Sequence, residues 1–158
     1  DNKVPHRTIS AVFGDNYVCE EVMTKPLAAK YRLIAANEVR YEEKDTADAE
    51  VILVAYGTMS RVSERACEIL REQGVRAGLF RPIVLWPYPE ARLHELAAQE
   101  QTKCFLSVEM SDGQMIDDVR ISVAGQKPVS FVGRNGGVVP TPDEIVDAVK
   151  KALAEVKA

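Results

Sequence analysis

The sequence predicts an α/β fold, a three-layer α/β/α sandwich around a mainly parallel sheet, and three observations support this class. From Glu50 onward, short apolar runs alternate with helical patterns. Residues 51–56 form an unbroken apolar run, which is typical of a strand buried on both faces. The length of 158 residues, with 46% hydrophobic and 28% charged residues, suits one globular domain with its own core.

The first predicted strand ends at Gly57, and an amphipathic helix follows it and ends at Gly74. The apolar positions of this helix recur at helical spacing: Val62, Ala66, Ile69 and Leu70. A second strand is predicted over 75–80. Residues 81–89 contain three prolines, which exclude a continuous helix, so we expect a rigid loop there.

The same alternation continues through the second half of the chain. A helix is predicted over 90–99 and a strand over 104–108, and a third helix, over 116–123, ends at Gly125. A fourth strand covers 129–132. Strands and helices that alternate at this spacing are typical of right-handed crossovers in a parallel sheet.

The last helix is predicted to begin with a capping box. Thr141 can cap the helix, Pro142 suits its first position, and Glu144 can complete the box. The apolar positions of this helix again follow helical spacing: Ile145, Val146, Val149, Leu153 and Val156.

Residues 1–49 lack this alternation. The stretch 17–37 has a helical pattern that contains Pro26, and 42–50 is acidic and polar. We therefore expect 1–49 to be a lead-in arm or linker from a preceding domain, and 50–158 to be the α/β domain. The chain begins at Asp1 without an initiator Met, as expected of a processed product or a portion of a longer chain.

Charge and apolar patterning argue against two classes of partner. Twenty basic and 24 acidic residues give a net charge of −4, which repels nucleic-acid backbones. No apolar run approaches the roughly 18 to 20 residues that cross a bilayer. We therefore expect neither a nucleic-acid nor a membrane partner.

The cysteines and histidines do not form a metal-binding pattern. Cys19, Cys67 and Cys104 are too far apart for a Cys-x-x-Cys motif, and we expect buried thiols in a cytoplasmic protein. His6 and His94 are isolated from other metal ligands, so surface roles are expected and no metal site is predicted.

The loop after the first strand carries two hydroxyls, Thr58 and Ser60, at the start of a helix. Such a helix end can bind a phosphate or a carboxylate. The simpler alternative, which we favour, is that one of the hydroxyls caps the helix.

The loop after the fourth strand is rich in glycine and contains Arg134, Gly136 and Gly137. This composition resembles a phosphate-binding loop, but Asp143 and Glu144 already lie at the positive end of the next helix. Close backbone packing at a turn, or contact with another chain, is the better interpretation.

The proline-rich loop after the second strand carries Trp86 and Tyr88, which we expect to form an ordered aromatic surface. Large aromatic residues and Arg are enriched at binding hot spots. We expect Arg81 to pair with a carboxylate such as Glu109 at the end of the third strand. The alternative, that Trp86 only covers the sheet edge, stays open.

Several stretches together resemble the C-terminal portion of the α subunit of 2-oxoacid:ferredoxin oxidoreductases of the 2-oxoisovalerate and 2-oxoglutarate type. Their order and spacing carry the resemblance from about residue 8 to the end. The stretches are Asn37-Glu38-Val39-Arg40-Tyr41-Glu42, Val54-Ala55-Tyr56-Gly57-Thr58, Arg81-Pro82-Ile83, Leu85-Trp86-Pro87-Tyr88-Pro89, Val108-Glu109-Met110, Gly113-Gln114-Met115, Gly133-Arg134 and Pro140-Thr141-Pro142.

The resemblance implies a fold similar to the transketolase C-terminal domain, with about five strands in a mainly parallel sheet. It implies a reaction in which a 2-oxoacid and CoA give acyl-CoA, CO2 and reduced ferredoxin with thiamine diphosphate. The thiamine diphosphate, Mg, iron–sulfur clusters and CoA are implied for the full complex, and none is expected to be bound by this domain alone.

The sequence departs from the whole enzyme at the cofactor motifs. Gly14-Asp15 is not followed by the glycine of a thiamine-diphosphate motif, and no cysteine cluster can hold an iron–sulfur centre. The implied partners are a preceding pyrimidine-binding domain of the same subunit, a thiamine-diphosphate-binding β subunit, other oxidoreductase subunits, and ferredoxin with the complex.

We therefore assign no catalytic residue and expect this domain to serve assembly and to shape the surroundings of the active site. The alternative is a free-standing flavodoxin-like module that binds an anion, a small ligand or a protein through Thr58, Ser60 and Arg134.

Overall fold

The computed structural model describes residues 20–157, and the chain divides into two compact units, Asp1–Glu38 and Val39–Ala158. In the first unit, a turn of π-helix, Glu20–Thr24, leads into helix α1, Lys25–Asn37. Pro26 lies in the first turn of α1, where its missing N–H has no intrahelical partner to lose. The predicted helix therefore forms, although residues 17–19 lie outside the described part.

The second unit contains a five-stranded sheet with the order β1-β3-β2-β4-β5. β1 pairs antiparallel with β3, and all the other neighbours are parallel. The predicted α/β class with a mainly parallel sheet is confirmed. The strands are β1 Tyr41–Lys44, β2 Val51–Ala55, β3 Ala77–Pro82, β4 Cys104–Glu109 and β5 Val129–Gly133.

Four helices cover the two faces of this sheet, and their positions follow the predicted apolar patterns. They are α2 Gly57–Glu72, α3 Glu90–Ala97, α4 Met115–Val123 and α5 Pro142–Lys157. The ends of these helices differ from the predicted ones by a few residues, because capping and turn geometry decide where a helix begins and stops.

The central strand β2 shows why three layers form. All five of its side chains are buried, and successive side chains point to opposite faces. Val51, Leu53 and Ala55 pack with α2 and α5 on one face. Ile52 and Val54 pack with α3 and α4 on the other, so the sheet is the middle layer of the sandwich.

The sheet includes Tyr41–Lys44, which the sequence predicts to belong to the arm. This edge strand has no buried residue, so no apolar alternation marks it in the sequence. Cross-strand contacts hold it instead. The ring of Tyr41 stacks on Phe80 at a centroid distance of 5.0 Å, and Glu42 lies opposite Arg81 in the register.

Two of the three cysteines are free and buried, as predicted. Burial raises the pKa of the Cys67 thiol to about 12 and that of Cys104 to about 11, so both stay protonated and unreactive near neutral pH. Cys19 and His6 lie outside the described residues. Within 20–157, no helix combines the length and the apolar character that a membrane crossing requires.

Candidate functional site

The loops that follow β2, β3, β4 and β5 lie at one end of the sheet, because these four strands are parallel. The helix after β2 and the helix after β4 cover opposite faces of the sheet, although β2 and β4 are neighbours. Ligands of open α/β sheets bind in the crevice that such a switch creates. All the predicted site residues belong to this end of the sheet.

The structure does not bring all of these residues together. β3 and β5 are separated by β2 and β4, so their ends lie about 14 Å apart at the usual strand spacing. Arg81, Trp86 and Tyr88, which belong to β3 and its loop, are therefore on the other side of the crevice from Arg134.

Glu109, at the end of β4, is fully buried below this end of the sheet. Its carboxylate accepts hydrogen bonds from the backbone N–H groups of Gln114 at 2.9 Å, Met115 at 3.0 Å and Ile116 at 2.9 Å. The hydroxyls of Ser107 and Ser111 donate to it at 3.1 and 2.9 Å. Glu109 thus caps the N-terminus of α4 from a neighbouring strand.

The hydrogen bonds decide the charge of Glu109. Burial acts to raise the pKa of its carboxyl, but the amides of Gln114 and Met115 and the two serine hydroxyls oppose it. The net result is a pKa below the ordinary value, so Glu109 is ionised at neutral pH. The helix end at this crevice already holds an anion and is not open to a phosphate.

Arg81 pairs with a carboxylate, as predicted, but the partner is not Glu109. Arg81 donates to Glu42 on β1 at 2.9 Å, because Arg81 and Glu42 are partners in the antiparallel register. Glu109 is instead satisfied by groups of its own loop. No residue pattern in the sequence indicated that Glu42 lies on a strand.

Capping of α2 by Thr58 or Ser60 is also not found. The helix begins at Gly57, so both hydroxyls lie inside its first turn, and Tyr56 at the cap position makes no side-chain cap bond. Ser60 is buried and donates to the carbonyl of Gly57 at 2.7 Å, while Thr58 is exposed.

The structure separates the two aromatic residues of the β3–α3 loop. Trp86 is 55% exposed, whereas Tyr88 is only 8% exposed and packs in the apolar cluster under α3 and α4. The predicted surface therefore contains Trp86 and not Tyr88. Burial raises the pKa of the Tyr88 phenol, and its hydroxyl has no hydrogen-bond partner within residues 20–157.

An ion pair joins the β5–α5 loop to the first turn of the helix that follows it. Arg134 forms an ion pair with Glu144, in the first turn of α5. The predicted capping box is confirmed, because the Thr141 N–H donates to Glu144 at 2.8 Å and the Glu144 N–H donates to the Thr141 hydroxyl at 3.3 Å. Arg134 is thus committed to an internal partner.

The two loop glycines are not sites of close packing. Gly136 and Gly137 have φ of +66° and +79°, and a side chain at either would meet no atom within 4 Å. Glycine is required there by the backbone conformation. Close approach occurs instead at Gly133, where a β-carbon would collide with the carbonyl of Ser111 and the ring of Phe131.

The capping box provides a stability test with a matched control. Thr141→Ala is expected to lower the free energy of unfolding by about 1 kcal/mol, because an N–H of the first helical turn loses its acceptor. Thr58→Ala, at the start of α2, is expected to change it by less than about 0.5 kcal/mol, because Thr58 is exposed and caps nothing. Urea denaturation measures both, and equal losses would contradict this assignment.

Large apolar side chains are exposed on three of the four loops at this end of the sheet. We call them the apolar rim: Ile83, Leu85, Trp86, Met110, Val138 and Val139, which are 39–55% exposed. Of these, only Trp86 is indicated by the sequence. The sequence feature that could have indicated the other five is their position in loops, where an apolar side chain has no core to pack into.

The fold and these loops define an α/β domain whose polar groups at the crevice are largely paired internally and whose rim is apolar. Residues 20–157 contain no group of three or more His, Cys, Asp or Glu side chains arranged to hold a metal ion.

Residues 49–145 match the family described as pyruvate:ferredoxin oxidoreductase core domain II. The chain belongs to this family, and the resemblance to 2-oxoacid:ferredoxin oxidoreductases is confirmed. It is 43% identical to ketoisovalerate oxidoreductase subunit VorB of Methanothermobacter marburgensis, over 82% of this chain and 36% of the relative. It is 36% identical to 2-oxoglutarate synthase subunit KorA of Methanothermobacter thermautotrophicus, over 70% of this chain and 29% of the relative.

A solved structure shares the fold. It is a 2-oxoglutarate:ferredoxin oxidoreductase from Magnetococcus marinus with 2-oxoglutarate, coenzyme A and succinyl-CoA bound, with a TM-score of 0.71 and 23% identity. The match covers 85% of this chain and 23% of that chain. The chain thus spans about a third of the length of the curated relatives and less of this structure.

Proposed function

We propose that this chain is the C-terminal domain of the α subunit of a thiamine-diphosphate-dependent 2-oxoacid:ferredoxin oxidoreductase. In that enzyme, a 2-oxoacid and CoA give acyl-CoA and CO2, and ferredoxin takes the electrons. The domain serves assembly and shapes the surroundings of the active site, and it is not catalytic alone. The family match and the similarity to VorB and KorA support this proposal.

The observation that carries the assembly role is the apolar rim. Its loops lie at the end of the sheet where α/β domains make their functional contacts. Large apolar residues that are exposed on three loops at the same end of a sheet favour packing against another protein surface. We propose that the partners are the preceding pyrimidine-binding domain of the same subunit, the thiamine-diphosphate-binding β subunit and the other subunits.

The residues of the crevice do not fit a bound diphosphate. Glu109 occupies the N-terminus of α4, and Asp143 and Glu144 lie in the first turn of α5. An anionic cofactor would meet carboxylates at the N-termini of α4 and α5, although not at that of α2, whose first turn has no acidic residue. We therefore assign thiamine diphosphate, Mg, iron–sulfur clusters and CoA to other parts of the complex, and we place the complex, with its ferredoxin, in the cytoplasm.

The sequence predicts that residues 1–49 connect this domain to the preceding one, and we propose this role for the part of them that precedes the sheet. The boundary between the compact units, after Glu38, and the pairing of β1 with β3 suggest that residues from 41 onward act with the sheet. The connecting part is then the portion before Val39.

A second candidate function is a free-standing flavodoxin-like module that binds an anion at the N-terminus of α2. One observation favours it: the first turn of α2 has no acidic residue, and Thr58 is exposed there. The internal hydrogen bond of Ser60 and the ion pair of Arg134 count against it. Calorimetric titration with CoA, phosphate and nucleotides separates the two, because only the module is expected to give heat.

An activity measurement tests the leading proposal. The isolated chain with thiamine diphosphate, Mg²⁺, CoA, a 2-oxoacid and ferredoxin is expected to release no CO2 above the protein-free reaction. The complete complex under the same conditions is expected to release CO2, measured from a 2-oxoacid labelled at its carboxyl carbon. Turnover by the isolated chain would contradict the proposal.

A further inference from the structure

The last strand of the sheet, β5, has an open edge. β5 ends the strand order, and within residues 20–157 no strand pairs with its outer side. The other end of the sheet is β1. An open edge offers a row of backbone N–H and C=O groups to another strand.

The register shows which groups of β5 point outward. The N–H of Phe105 donates to the carbonyl of Pro128 at 3.0 Å, and the N–H of Arg134 donates to the carbonyl of Glu109 at 3.4 Å. In a parallel ladder with these bonds, alternate residues of β5, Ser130 and Val132, bond to β4. The other residues of β5 are Val129, Phe131 and Gly133. Their N–H and C=O groups point away from the sheet.

The two edges of the sheet differ in their protection. β1 carries the exposed charged residues Glu42 and Lys44, which discourage pairing with another strand. β5, with the sequence Val-Ser-Phe-Val-Gly, has no charge and no proline, and all five residues are only partly buried. β5 therefore lacks the charged residues and prolines that often keep an edge strand from pairing.

A groove of about 410 Å³ runs along this edge between β5 and the flanking helices. Lys151 and Glu155 lie in it one turn apart on α5, and neither forms an ion pair with the described residues. A helix that presents opposite charges one turn apart is self-complementary when a two-fold axis places a second copy against it in the antiparallel direction.

We propose that β5 pairs antiparallel with β5 of a second copy of this chain, which joins two five-stranded sheets into one continuous sheet. With the two-fold axis at Phe131, Phe131 faces its counterpart and Val129 faces Gly133. Each of these pairs joins outward-pointing groups and exchanges two hydrogen bonds. Lys151 of each copy then meets Glu155 of the other.

The proposal selects a second copy over another extended segment because both elements of the edge match themselves. The outward-pointing positions of β5 are evenly spaced about Phe131, so two copies can pair in register, and the two charges on α5 are of opposite sign. The inference does not depend on the proposed function.

A charge exchange tests the pairing without disturbing the core, because Lys151 and Glu155 are exposed. Sedimentation velocity over roughly 5 to 500 µM protein is expected to show a monomer–dimer equilibrium. Lys151→Glu is expected to raise the dimer dissociation constant about tenfold, since it places like charges together at two symmetric contacts. The double variant Lys151→Glu/Glu155→Lys is expected to restore it, and the control Lys150→Glu, outside the groove, is expected to leave it unchanged.

Backbone amide exchange locates the contact. On raising the protein concentration, the amides of Val129, Phe131 and Gly133 are expected to exchange more slowly, whereas those of Ser130 and Val132 keep their rates. A monomer at all concentrations, a dimer unaffected by Lys151→Glu, or larger aggregates without the alternating protection would each overturn the proposal.

Discussion

Replacing Glu109 by alanine is expected to lower the free energy of unfolding by about 3 to 5 kcal/mol. The N–H groups of Gln114, Met115 and Ile116 would lose their shared acceptor in a buried place, and the hydroxyls of Ser107 and Ser111 would lose theirs. A buried N–H or O–H group that has no hydrogen-bond acceptor costs more free energy than the same hydrogen bond contributes, net, when it is formed. Urea denaturation measures the change.

Two further variants separate this effect from a general loss of charge. Glu109→Gln keeps the size and one acceptor oxygen, so a smaller loss of about 2 kcal/mol is expected. Asp117→Ala removes an exposed acidic residue from the first turn of the same helix, and a loss below about 1 kcal/mol is expected. If Glu109→Ala destabilised no more than Asp117→Ala, the capping role of Glu109 would be rejected.

The lowered pKa of Glu109 adds a pH dependence to the same prediction. Its stabilising contribution is complete above the pKa of the unfolded chain, near 4.3, and is lost as the pH falls through the lower folded pKa. The stability difference between the wild-type chain and Glu109→Gln should therefore shrink in acid. A difference that grows as the pH falls would contradict this account.

The fold could be predicted because its central strands are buried on both faces. Val51–Ala55 is an unbroken apolar run, Cys104–Val108 is apolar except for Ser107, and the helices show clear apolar faces. β1 could not be predicted, since its stability comes from cross-strand contacts such as Tyr41 on Phe80 and Glu42 with Arg81. Those contacts join residues far apart in the sequence.

The placement of the candidate loops at one end of the sheet follows from the sequence, but the pairing of side chains within them does not. Parallel strands place their loops at one end, so the crevice follows from the order of elements. Which side chains meet there depends on the register, and the choice of Glu42 over Glu109 by Arg81 is one example. The burial of Tyr88 beside an exposed Trp86 likewise depends on the path of the loop, which three prolines constrain without specifying.

Replacing Trp86 by aspartate in the complete subunit is expected to weaken assembly of the oxidoreductase complex strongly. Trp86 is the largest side chain of the apolar rim, and a central aromatic residue typically contributes about 2 kcal/mol or more to a protein contact. This corresponds to at least about thirtyfold weaker association. The fold should remain, because Trp86 is mostly exposed and is not part of the core clusters.

Ile121→Asp is the matched control. Ile121 is 65% exposed on α4, near the end of that helix remote from the rim, so the same change of chemistry occurs on a different surface. Its effect on assembly is expected to be small, and both variants should unfold at urea concentrations close to that of the wild-type subunit.

The most direct measurement is sedimentation of the complete subunit with its partner subunits, with Trp86→Asp, Ile121→Asp and the wild-type chain compared at equal concentrations. The account predicts that only Trp86→Asp dissociates the complex while its domain stays folded. A Trp86→Asp complex as stable as the wild-type complex would contradict the claim that the apolar rim is the assembly surface.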